Sequence, residues 1–250
     1  MKRVVVAGCP LNLGGVEDFL VFAEKRRTQG EATGALSLNA LKVVEANRDS
    51  DVLSALETVT VVGCDGVPIR WLAKLAHGQE TPRLNGTDLM MALFAHADAD
   101  GLGVALVGST QETLQAVTRR LAIDFPNARV VAEVDGFEDL EDEEVAVERL
   151  RSSEPDIVLV ALPSPWKEHF IARHHGDLGP SIIVAVGGSF EVFTGAVPRA
   201  PEWMQRSGLE WLHRLGREPK RLGVRYTTGN LAFLQIALTD LFDSRIRRVP

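Results

Sequence analysis

From Gly103 to Val186 the chain alternates short apolar runs with longer amphipathic ones, and that alternation leaves few folds open. Gly103–Val107, Arg129–Glu133, Asp156–Leu162 and Ser181–Val186 read as strands. Gln111–Phe125, Glu141–Ser152 and Pro165–His174 between them read as helices. A helical crossover returns the chain to the edge it left, so successive strands pair in parallel. The strands are apolar on both faces, as strands covered by helices above and below must be. Upstream, Arg3–Ala7, Gly34–Leu38 and Val59–Gly63 add strands, the first ended by Gly8-Cys9-Pro10. The expected fold class is α/β: a Rossmann-like parallel sheet with helices on both faces. A cap on the helix that begins near Leu89 is expected from Thr87 or Asp88.

The pattern changes near Ala196, where Pro198 and Pro201 follow and tryptophan and arginine become frequent. Residues 1–195 are expected to form the catalytic α/β domain, and 196–250 a helical, basic, membrane-associating appendage. Charge divides at the same place. The chain carries −7, and from Arg199 to Pro250 ten Arg/Lys stand against five Asp/Glu, so the tail is +5 and the remainder −12. A basic tail on an acidic body points to an anionic partner; a solvated basic face is the plainer alternative. Arg214, Arg217, Arg221 and Arg225 would form one stripe on a single helix, but Gly216 and Pro219 favour two short helices. Asn230–Asp243 reads as a helix with a polar face at Gln235, Thr239 and Asp243. Its apolar remainder is expected to pack on the body, on another subunit in a homo-oligomer, or on a membrane surface.

Several classes drop out. Cys9 and Cys64 lie in apolar runs without CxxC spacing, which suits a reducing compartment. The apolar run after Lys2 and Arg3 is cut by Pro10 and Asn12, so no secretory leader is expected. No stretch reaches about 18 apolar residues, the length that crosses a bilayer. A nicotinamide site wants G-x-G-x-x-G after a strand, and strand one offers GCPLNLGG instead. A non-catalytic sugar-nucleotide or lipid-binding regulator stays open, since it would keep the glycines and arginines without needing a base. No His/Cys cluster at ligand spacing is present, so neither metal nor cofactor is expected.

In open α/β sheets ligands bind beyond the carboxyl ends of the strands. That rule selects Ser37 and Asn39, Cys64-Asp65-Gly66, Gly108-Ser109-Thr110, Asp135-Gly136-Phe137, Pro163–Glu168 and Gly187–Glu191. Asp65 is the candidate base: a carboxylate at a buried strand end can take a proton from a substrate hydroxyl. The alternative is a turn aspartate bonded to its own backbone. Gly187 and Gly188 follow an apolar run and can bring bare N–H groups against a phosphate.

The stretch from Val186 to Tyr226 also resembles a known signature. Gly187, Gly188, Phe190, Gly195, Arg199, Ala200, Pro201, Trp203, Leu209, Glu210, Trp211, Arg214, Glu218, Pro219, Arg221, Arg225 and Tyr226 fit the C-terminal pattern of the WecG/TagA/CpsF glycosyltransferases in one order. The likeness covers nearly the whole chain, weakly at its start. It implies an inverting, metal-independent transferase that moves a sugar, often N-acetylmannosamine, from a UDP-sugar to a polyprenyl-diphosphate-linked sugar acceptor. The enzyme would sit in the cytoplasm, peripheral on the inner face of the membrane; nucleic acid is not an expected partner. Residue by residue, the resemblance makes Asp65 the general base. Asn39 matches the family's T-x-N, with Ser37 in place of threonine, and Arg83 matches its R-x-x-G-x-D with Gly86 and Asp88. Arginine suits a diphosphate because its planar fork binds phosphate oxygens in pairs; a surface pair with Asp88 or Glu80 is the alternative. Phe137 stands where an aromatic can stack on uracil, or is a core residue. Glu191 replaces an aspartate and is placed to bond base or ribose. Glu168 is retained, whereas Lys167 stands where glutamine is usual, and a lysine there can hold a phosphate or carboxylate. Arg214, Arg221 and Arg225 are expected at the acceptor's diphosphate and the lipid.

Overall fold

A computed structural model describes residues 1–207, 209–217 and 219–246. Within the tail, the side chains at 206, 214, 219–222, 224–227 and 243–246 lie outside the described residues.

The expected parallel sheet is present. Six strands, β3 (Thr33–Leu38), β4 (Val61–Cys64), β5 (Gly103–Gly108), β6 (Arg129–Val134), β7 (Ile157–Ala161) and β8 (Ile182–Ala185), pair in parallel in the order β4-β3-β8-β7-β5-β6. Every residue of β4, β5, β7 and β8 is buried, which explains their unbroken apolar sequences. Two hydrophobic cores result. One lies under α2 (Ala40–Ala46), α3 (Ser50–Thr58), α4 (Val67–His77), α7 (Glu143–Ser152) and α8 (Trp166–His174). The other lies under α1 (Val16–Thr28), α5 (Gly86–Asp100), α6 (Gln111–Asp124) and α9 (Ser189–Thr194).

The first strand belongs elsewhere. β1 (Lys2–Val6) pairs antiparallel with β2 (Cys9–Leu13), a strand not expected from the sequence because Pro10 lies inside it. Ala7 and Gly8 turn the hairpin with φ of 51° and 77°, the left-handed pair that a two-residue turn requires. The buried Asn12 explains the hairpin's place. Its Oδ1 accepts the N–H of Val62 at 2.8 Å, so a polar side chain satisfies a donor on edge strand β4. The cap of α5 also differs from expectation. Asn85, not Thr87 or Asp88, accepts the N–H groups of Thr87 and Asp88, each at 3.0 Å. Gly86, the first residue of α5, runs so close to β8 that a Cβ would stand 2.9 Å from the carbonyl oxygen of Ala185.

The tail holds α10 (Glu202–Arg206), α11 (Glu210–Arg217) and α12 (Pro219–Ile246). The break expected near Pro219 falls at residue 218, outside the described residues, and the segment beyond it is one helix of 28 residues rather than a short one. Proline is pre-set for the first position of a helix and offers no N–H that would go unused there. α12 packs on α2 and α4. Phe233 and Ala237 are buried in the first core, and the Nε2 of His77 lies 2.9 Å from Asp240 Oδ2. At Gly229 a Cβ would collide with Leu41 on α2. The same helix exposes Leu231, Leu234, Leu238 and Phe242 on its outer side. Phe233→Ala is expected to destabilise the protein by about 3 kcal/mol, through lost burial and the cavity it leaves. Urea denaturation would read this as a lower midpoint with unchanged slope; no shift would mean that α12 is not held there.

Candidate active site

The chain leaves β3 toward one edge, forms β4, then crosses to build β5 to β8 from the other side. β8 therefore closes against β3 in the middle of the sheet. α2, after β3, lies over one face and α9, after β8, over the other, so their starting turns diverge and leave a crevice. The strand-end residues selected from sequence share this edge of the sheet, because all six strands run the same way.

Asp65 sits at the end of β4. Its N–H donates to the carbonyl of Leu38 at 2.9 Å, which aligns it with the end of β3. The next loop is pinned there too, since the N–H of Leu84 donates to Cys64 at 2.7 Å. This brings Arg83 to Asp65, with Nε 3.6 Å from Oδ1. Both side chains are about a quarter exposed, so the pair lies at the wall of the crevice. Arg83 does not pair with Asp88 or Glu80. Its Nη2 binds Glu210 on α11, while Asp88 binds Arg199 and Glu80 binds Lys74. Burial works against the Arg83 charge, but Glu210 and Asp65 outweigh it and raise its pKa further. Burial pushes the neighbouring Cys64 thiol up to about 12, which leaves the thiol neutral.

Ser37 and Asn39 leave β3 beside this pair. Asn39 caps α2, its Oδ1 accepting from the N–H of Lys42 at 3.0 Å. Ser37 and Asn39 line a cavity of about 70 Å³ together with Lys42, Glu45, Ser164, Lys167 and Glu168. The buried Lys42 ammonium contacts Glu45 at 2.6 Å, Glu168 at 2.9 Å and Ser164 at 2.9 Å. Lys167 donates to Ser164 at 2.5 Å and lies 3.3 Å from Glu168. Burial lowers the Lys167 pKa, opposed by the charge of Glu168. Burial also acts against the Glu168 carboxylate, but Lys167 and Lys42 win and hold it below the usual range. Two lysines and two glutamates thus balance around the cavity. Lys42 went unnoticed in the sequence, where it sits among the apolar residues of α2; its i,i+3 spacing to both Asn39 and Glu45 was the available signal.

On the other side of the crevice, Gly187 adopts φ 53° and Gly188 precedes the first residue of α9. Glu191 accepts from the Ser109 hydroxyl at 2.9 Å, and its other carboxylate oxygen is buried with no partner among the described residues. Ser109 holds φ 58°, a strained conformation for serine that sets its hydroxyl toward Glu191. Phe137 is 68% exposed, so it is not a core residue. Asp135 presents it by accepting the N–H groups of Phe137 and Glu138 at 2.7 and 2.8 Å. The side chains of Arg214, Arg221 and Arg225 lie outside the described residues.

An open parallel sheet that gathers an acid–arginine pair and a glycine turn on its carboxyl edge has the architecture of an α/β enzyme. The model of the Glycosyl transferase WecG/TagA/CpsF family matches residues 4–247. The chain belongs to that family and is a glycosyltransferase. It is also similar to the N-acetylglucosaminyldiphosphoundecaprenol N-acetyl-beta-D-mannosaminyltransferase of Bacillus subtilis (strain 168). The two are 26% identical over 222 residues, which span 88% of this chain and 86% of that protein.

Proposed function

We propose that this glycosyltransferase moves N-acetylmannosamine or a related hexose from a UDP-sugar to a polyprenyl-diphosphate-linked, GlcNAc-type acceptor, with inversion, in cell-surface polysaccharide synthesis. The Asp65–Arg83 pair at the mouth of the crevice carries this reading. Asp65 takes the proton of the acceptor hydroxyl as its oxygen attacks the anomeric carbon. The bond from that carbon to the β-phosphate oxygen breaks, and UDP departs with the electron pair. Arg83 stabilises the charge that develops on the diphosphate, a task that needs no metal when arginines supply it. Gly187 and Gly188 present backbone to the donor's phosphates, Glu191 bonds the ribose or base, and Phe137 stacks on the uracil. Ser37, Asn39, Lys167 and Glu168 line the space for the donor sugar. Arg214, Arg221 and Arg225 serve the acceptor's diphosphate. The name of the Bacillus subtilis relative, which gives N-acetyl-beta-D-mannosamine as the sugar and N-acetylglucosaminyldiphosphoundecaprenol as the acceptor, supports the choice of both.

A panel of UDP-sugars offered with a short-chain diphosphate-linked GlcNAc tests the proposal directly. Transfer from UDP-N-acetylmannosamine, undiminished by a chelator, is expected; failure with every UDP-sugar overturns it.

Gly188→Val isolates the donor loop. Gly188 has φ −76°, and a Cβ there would meet only Glu191 Oε2, at 3.8 Å. A Cβ at this position meets no backbone of the protein, so the loop itself has room for it. Calorimetric titration of UDP is expected to show affinity at least about tenfold weaker, the loss of one or two phosphate hydrogen bonds. Unchanged affinity would remove the diphosphate from this loop.

A further inference from the structure

We propose that Glu210 is a positioning residue for the transfer reaction, reaching from the tail to hold Arg83 in register with Asp65. Five charged side chains alternate in sign along one chain of contacts. Asp65 faces Arg83, Arg83 binds Glu210, Glu210 lies against Arg199, and Arg199 binds Asp88. The chain starts at the end of β4 and finishes on the first turn of α5, yet its middle member belongs to α11. Asp65 is 3.6 Å from Arg83 Nε, too far for a hydrogen bond to fix the guanidinium. The direct Nη2 contact to Glu210 is what sets its orientation. Glu210 is the least exposed of the five side chains, at 17%, so water and salt screen its contacts least. Its two oxygens are divided, Oε2 to Arg83 and Oε1 to Arg199 Nε at 3.4 Å. Take away that carboxylate and two arginines face each other with no anion between them. Arg83 then swings from Asp65, and the leaving diphosphate loses its cation.

A simple adhesive role for Glu210 predicts something different. The tail has its own attachment through Phe233, Ala237 and the His77–Asp240 contact. Neutralising Glu210 therefore leaves α12 docked, and only the alignment of Arg83 changes. Misplacing a catalytic group by about 1 Å costs on the order of 10²-fold in rate.

The test compares Glu210→Gln, Glu210→Asp and Arg199→Gln in the full chain. Four readouts are taken: kcat, donor KM, UDP affinity, and the rate at which trypsin cuts the tail. Glu210→Gln is expected to lower kcat by about 10- to 100-fold, with donor KM and tryptic protection near wild type and UDP affinity lowered far less than kcat. Glu210→Asp keeps the charge and is expected to recover part of the loss, while Arg199→Gln shows a smaller loss of the same kind. Unchanged kcat in Glu210→Gln overturns the proposal. So does a loss matched by faster tryptic cutting, which would make the residue structural only. The proposal rests on Asp65 and Arg83 being the reacting pair. If that pair is wrong, Asp65→Asn stays active; if only the role of Glu210 is wrong, Asp65→Asn is dead while Glu210→Gln is not.

Discussion

Asp65→Asn is expected to lower turnover by about two to four orders of magnitude, the range for loss of a general base, with UDP affinity nearly intact. Asparagine has the shape of aspartate, so the backbone bond from residue 65 to Leu38 and the packing at the end of β4 persist. What disappears is the ability to accept the acceptor's proton. The bound donor's diphosphate is assigned to the loop at Gly187 and Gly188, across the crevice from the substitution, whereas Arg83, beside Asp65, is assigned the charge that develops as UDP leaves. Donor binding and chemistry should therefore separate cleanly. Single-turnover transfer and UDP calorimetry on the same preparation make the comparison. Wild-type turnover in the variant would return Asp65 to the role of a turn residue. Loss of UDP binding alongside turnover would instead mark it as part of the donor site.

The sheet was legible because its strands are buried on both faces, and burial leaves an unbroken apolar run in the sequence. The hairpin was not. Pro10 and Asn12 look like the end of a strand, whereas Asn12 turns inward to serve the edge of β4. The helix cap near Leu89 was misplaced because three capping residues stand close together, and only the chain's approach to β8 at Gly86 decides among them. Asp65 could be singled out because topology alone puts strand ends together, and Arg83 because the family resemblance supplied it. The partners of Arg83 could not. Glu210 lies 127 residues from Arg83, and although it falls within the family signature, nothing in the sequence pairs it with that arginine. Lys42 was hidden for a similar reason. Its acceptor Glu168 comes from another helix, and without that partner a lysine among Ala40, Val43 and Val44 suggests only the outer face of α2. Periodicity records what a residue is buried in; it carries no record of which distant charge permits the burial.

Removing the tail after Ala196 is expected to abolish transfer, since the cut takes away Glu210, Arg199 and the arginines assigned to the acceptor. It also strips Phe233 and Ala237 from the core over α2 and α4, so a lower thermal midpoint should accompany the loss. Point substitutions on the full chain therefore test the membrane role better. None of the described helices is long and apolar enough to cross a membrane, so attachment would have to be lateral. The proposed surface has two parts. Leu231, Leu234, Leu238 and Phe242 form an exposed apolar row down α12, and Trp71 and Leu75 are exposed on α4, against which α12 packs. Trp203 and Trp211, exposed on α10 and α11, suit the boundary between lipid and water. The tail adds +5, and each basic residue near an anionic surface contributes about 1 kcal/mol, screened within a Debye length. Several such contributions hold an enzyme on a surface reversibly while its acceptor stays in the lipid. Vesicle co-sedimentation should thus show pelleting with anionic vesicles at low salt, less at high salt, and little with neutral ones. The double substitution Leu234→Ser, Leu238→Ser touches side chains about half exposed, so it should weaken pelleting without unfolding the protein. Equal pelleting with neutral and anionic vesicles, or none with either, would contradict the electrostatic part. Unaltered pelleting of the double variant would contradict the apolar part and leave the basic residues as the whole attachment.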